Sequence, residues 1–135
     1  MIYISNDKTR IVSFTIKKMM TCINEESART IEQNLKKLST SEFGDIKIPV
    51  FSFGRKGTNI WYICDYVKGR ILYKKEMQIV YDNVVKRSSL FTLTNFHYEN
   101  YIKCSSTGEV YYIDLNDCGE IPHEEREALF ERYNA

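Results

Sequence analysis

The chain has 135 residues, 43% of them hydrophobic and 13% aromatic, a composition that folds and that excludes global disorder. Nineteen Lys and Arg stand against eighteen Asp and Glu, so the summed positive field that non-specific nucleic-acid binding needs is missing. A chain this long holds one core and little of a second, so a single domain over 1–135 is expected.

Residues 2–4 and 11–20 have the β-branched and aromatic content of strands. Asn24 is placed to cap a helix, with Glu25 and Glu26 in the first turn, where carboxylates favour the positive helix end. Ala28, Ile31, Leu35 and Leu38 fall at helical spacing, which predicts an amphipathic helix over 25–38. A loop over 39–45 leads to "IKIPVFSFG", where Pro49 implies an edge strand or a strand start.

"RKGT" is a turn, "NIWYICDYV" a buried strand, and "KGR" turns the chain into "ILYKK". A second helix is expected over 75–87, with Met77, Val80, Tyr81, Val84 and Val85 on one face. "YENYIKC" and "VYYIDL" form a hairpin across Ser105–Gly108, and Pro122 and His123 lead into a charged terminal helix. The fold class is α+β: an antiparallel sheet, two helices, a C-terminal hairpin and a short terminal helix.

Cys22, Cys64, Cys104 and Cys118 form no C-x-x-C pair, and two histidines give no zinc spacing. Cys22, Cys64 and Cys104 lie in apolar runs and are expected as buried free thiols. No apolar run approaches a membrane span, and Asp7 and Lys8 interrupt the only apolar stretch near the start, so no signal-peptide pattern opens the chain. A reduced, cytoplasmic setting is expected. Ile, Lys, Asn and Tyr together make 46 residues, whose AT-rich codons suit a phage, a large DNA virus or a low-GC bacterium, with the host interior as the compartment if the source is viral.

In order, these elements resemble the protein-kinase-like fold in a degenerate, truncated form. "VSFTIKK" is similar to the strand that carries the phosphate-binding lysine, in the style of V-A-I-K. The helix over 25–38 stands where the family's αC helix follows, and "LTNFHYENYI" resembles the catalytic loop H-R-D-L-x-x-x-N. Asn100 lies five residues after Asn95, the spacing between that motif's Asp and its Asn, and "VYYIDLND" puts Asp114 where the Asp of D-F-G would stand. The resemblance implies an N-lobe plus a catalytic-loop hairpin. Lys17 or Lys18 would hold phosphates, and Asn100 and Asp114 would hold magnesium.

Departures from the pattern argue against catalysis. Asn95 replaces the orienting carboxylate, and an amide cannot accept a proton. No G-x-G-x-x-G precedes the lysine strand, and Glu32 is the best-placed partner for the lysine. Plain alternatives stand beside each assignment: Lys17 and Lys18 as a solvated strand edge, Asp114 as a turn former, Asn100 capping or bonding a neighbouring loop backbone, His97 at the surface or half-buried. The tyrosines at 101, 111 and 112 would then be hairpin packing, and Glu124, Glu125, Arg126, Glu127, Glu131 and Arg132 a solvated helix face docked by Leu129 and Phe130.

Two functions follow. One is a non-catalytic protein-binding module, an accessory or inhibitory factor with no cofactor, whose partner is another protein rather than a membrane or a nucleic acid. The other is a minimal phosphotransferase that binds ATP and Mg.

Overall fold

The computed structural model describes residues 2–4 and 15–135, and is α+β with three helices and mostly antiparallel sheets among them. The expected strand over 11–20 is seen only from Thr15, its earlier residues lying outside those described. The chain gathers into two compact units, one of residues 1–40 and 49–66, the other of 41–48 and 67–135.

The first unit is a four-stranded antiparallel sheet in the order β1-β2-β5-β4, with one helix. Its strands are β1 (Ile2–Ile4), β2 (Thr15–Thr21), β4 (Phe51–Lys56) and β5 (Asn59–Asp65). Helix α1 (Glu25–Leu38) starts where the sequence places it, the Asn24 side chain accepting from the Ser27 N–H at 2.8 Å. It buries Ala28, Leu35 and Leu38.

Register fixes which face of the sheet the helix covers. Lys18 pairs with Tyr62 and Met20 with Ile60; Phe53 and Arg55 pair with the same two residues from the other side. Arg55 bonds Glu32 of α1 at 3.0 Å, so these residues share the helix-facing side. Lys17, Met19, Trp61 and Ile63 take the opposite side, because successive side chains alternate. The Trp61 ring packs against Gly54, where a Cβ would sit 2.5 Å from it.

"IKIPVFSFG" is not one strand. β3 (Ile46–Lys47) pairs in parallel with β9 (Val110–Tyr112) in the second unit, and β4 starts only after Pro49. The second unit's sheet runs β3-β9-β8-β6, with β8 at Tyr101–Cys104 and β6 at Gly69–Ile71. Gly69 lets β6 approach β8 closely, since a Cβ there would lie 2.0 Å from the Lys103 carbonyl oxygen.

The helical run α2 spans 74–85 rather than 75–87, as a 3₁₀ turn, an α turn and a π turn (Tyr81–Val85). It buries Met77, Val80, Val84 and Val85. β7 (Phe91–Leu93) and β10 (Cys118–Glu120) pair as a ribbon that the sequence reading did not contain.

Helix α3 (His123–Asn134) corrects the expected solvated face at one position: Arg126 is 1% exposed, its Nη1 donating to the Val84 carbonyl at 3.4 Å. The cysteines need correction too. All four are free, but only Cys64 and Cys118 are buried, while Cys22 and Cys104 are partly exposed.

Candidate functional site

Pairing of Tyr101 with Tyr112 closes the base of the β8–β9 hairpin in the second unit. The Ile113 N–H donates to the Asn100 carbonyl at 3.0 Å, so Asn100 and Asp114 emerge at the same end. Both are half-buried. Asp114 also opens a tight turn, its carbonyl accepting from the Asp117 N–H at 2.9 Å, as its plain reading expects.

Asn95 is the hub of this end of the hairpin. Its side-chain amide donates to Asp117 Oδ2 at 3.2 Å and, at a longer 3.4 Å, to Asp114 Oδ2. Its side-chain oxygen accepts from the His97 N–H at 3.1 Å, and its backbone carbonyl accepts from the Tyr101 hydroxyl at 2.8 Å. The Tyr112 hydroxyl donates to the Asp117 carbonyl at 2.7 Å, which also takes the Thr94 N–H at 3.0 Å.

Two buried tyrosines therefore hold the backbone on both sides of the cluster. Their rings are 5.2 Å apart, and burial raises both phenols well above their ordinary pKa, keeping them as donors. Tyr111, the third tyrosine of the expected cluster, is only half-buried.

His97 is half-buried, stacked on Tyr98 at 4.5 Å, and its Nδ1 accepts from the Glu99 N–H at 3.3 Å. It caps a 3₁₀ turn, Tyr98–Asn100, which delivers Asn100 to the head of β8.

Lys17 and Lys18 belong to the first unit, on opposite faces of β2. Lys18 shares the α1-facing side with Arg55, whose guanidinium takes Glu32. Lys17 shares the other side with Trp61 and Ile63.

Chemically, the hairpin end offers oxygen donors. Asp114, Asp117 and the Asn100 side chain are hard-oxygen groups of the kind magnesium takes. No group of three His, Cys, Asp or Glu side chains that could hold a metal is found among the described residues. The kinase motif assigns no role to Asp117, although "DLND" carries it three residues after Asp114, the spacing of a tight turn that folds one carboxylate back toward the other.

Compared with family models and with curated proteins, the chain matches none.

Proposed function

We propose that this chain is a non-catalytic protein-binding module on a degenerate kinase-like plan. One observation carries the reading: the Asn95 amide donates toward both Asp114 and Asp117, and it is this residue that the sequence resemblance aligns with a phosphotransfer base. A group that spends its N–H bonds on two carboxylates neutralises their repulsion and takes no proton from a substrate. The cluster then works as a lock on the hairpin base.

A protein partner is supported by the face of the first unit's sheet that α1 leaves uncovered. Met19, Trp61 and Ile63 lie there, Met19 44% exposed and the other two half-buried, and aromatic and Met side chains are what protein interfaces favour. The β2–α1 turn adds Ile23, 97% exposed. No helix among the described residues is long and apolar enough to cross a membrane.

The alternative function, Mg-nucleotide binding, draws support from the oxygen donors of Asp114, Asp117 and Asn100 at one hairpin end. Thermal unfolding with ATP and Mg divides the two. Ligand at 100 times its Kd adds about 2.7 kcal/mol of stability. The binding-module reading expects no shift at millimolar ATP, together with capture of a protein partner that Met19→Glu abolishes while the circular dichroism spectrum stays unchanged. An upward shift that Asp114→Ala removes overturns it in favour of nucleotide.

A further inference from the structure

At the far end of the same hairpin, away from Asn95, a cavity of about 450 Å³ opens between β6 and the tip of β8–β9. That volume suits a tripeptide-sized ligand. Lys68, Gly69, Arg70, Lys103, Cys104 and Ser105 line it.

Its charge is lopsided. Arg70 forks onto Glu76 at 2.7 and 3.0 Å, and Lys103 stands 3.9 Å from the same carboxylate. Lys68 makes no ion pair among the described residues, its backbone carbonyl instead fixing the hairpin tip by accepting the Ser105 N–H at 2.9 Å and the Ser105 hydroxyl at 3.1 Å. Three cations thus stand against two acids, Glu76 and the nearby Glu109, and the balance at the cavity favours anions.

A nucleophile sits in that cationic wall. The Cys104 sulfur lies 3.3 Å from the Ser106 hydroxyl oxygen. Hydrogen bonds from the side chains and then the backbone amides of Ser106 and Thr107 hold its pKa down at about 7. Cys64 and Cys118 behave oppositely: burial pushes them up to about 11 and about 12.

We propose that this cavity captures a small anionic disulfide of the glutathione type, with Cys104 as the modified residue. The Cys104 thiolate attacks one sulfur of the bound disulfide. A new mixed disulfide forms on Sγ as the ligand's own S–S bond breaks, and the departing half leaves as a thiolate that takes up a proton. Cys104 is oxidised and the departing half reduced, so electrons balance without another reagent. Lys68, Arg70 and Lys103 face the carboxylates of the retained half. The site goes beyond the proposed binding function and uses none of its residues.

The test treats the reduced full chain with glutathione disulfide, with neutral hydroxyethyl disulfide and with cationic cystamine, locating the adduct by peptide mass mapping. Cys104 should be modified first, and the anionic reagent should outpace the cationic one by about tenfold at low salt, the gap closing at high salt. Lys68→Gln combined with Lys103→Gln should erase that preference while leaving the neutral reagent's rate unchanged.

The rate with the neutral reagent should rise to a plateau with a midpoint near 7, moved upward in Ser106→Ala. Glu76, its pKa held down at about 2 by Arg70, and Arg70, raised by the same pair, stay charged through that range; Lys68, Lys103 and Glu109 are the other charged groups around the thiol. Modification of Cys22 ahead of Cys104, or cystamine reacting as fast as glutathione disulfide at low salt, overturns the proposal.

Discussion

The Asn95 side-chain amide stands 3.4 Å from the Asp114 carboxylate and 3.2 Å from that of Asp117, which makes one neutral residue the separator of two negative ones. Asn95→Asp keeps the oxygen that accepts from the His97 N–H but turns the donor into a third carboxylate. Like charges in one half-buried cluster raise each other's pKa in the folded state. The folded protein then binds more protons than the unfolded one, so stability rises as pH falls through the carboxylate range. The variant should lose about 1–3 kcal/mol at pH 7, and recover most of it in millimolar Mg or below pH 4. Thermal unfolding across pH, with and without Mg, checks it.

Elements whose signal is local were legible in the sequence. Helix α1 combines a 3.6-residue apolar period with a side-chain cap, and both act within a few residues of Asn24. The 101–112 hairpin is set by a short turn between aromatic strands. Elements whose signal is distant were not. β3 is two residues long and exists because Ile46 and Lys47 find Val110 and Tyr111, a pairing that no local pattern announces. β7 and β10 are three residues each, too short to show alternation. Of the candidate site, the nearness of Asn100 and Asp114 followed from the hairpin. Asp117 was hidden because its position depends on how the 114–117 turn folds back.

Arg126 should tolerate an apolar replacement. It is 1% exposed, donates one long hydrogen bond to the Val84 carbonyl, and has no partner for its Nε. Burial lowers its pKa, and the neighbouring Arg87 guanidinium, itself shifted down by burial and by the Arg126 charge, adds repulsion. A buried charge with so few bonds is costly. Arg126→Met should therefore be neutral or stabilising by about 1–2 kcal/mol, whereas Arg126→Ala leaves a cavity and should lose about 2–4 kcal/mol. Urea unfolding of both variants separates the charge effect from the volume effect.

Gly54 is held to glycine by the Trp61 ring. A methyl group there would lie 2.5 and 2.8 Å from two ring carbons, well inside van der Waals contact. The ring must tilt away, and overpacking of this kind costs about 1–3 kcal/mol. Gly54→Ala should lower the unfolding midpoint and red-shift the fluorescence of the native protein. Trp61 is the only tryptophan, so the emission reports that contact alone.

Glu76 should make stability depend on pH in a narrow acid window. Arg70 grips its carboxylate at 2.7 and 3.0 Å, the Tyr73 N–H donates at 2.8 Å, and Lys103 adds charge at 3.9 Å. The Arg70 hydrogen bonds first, then the Tyr73 amide, hold its pKa down at about 2. A folded-state pKa below the unfolded value means that the stabilisation is complete above about pH 4.5 and is lost as pH falls toward 2. The pair is partly solvated, its side chains 41% and 24% exposed, so screening trims the contribution to about 1 kcal/mol. Glu76→Gln should thus be less stable than the parent by about that amount at pH 7, and the two should converge near pH 2. Unfolding curves at intervals over this range test it: a gap that stays constant with pH would assign the loss to packing, and one that closes only on adding salt would assign it to long-range charge.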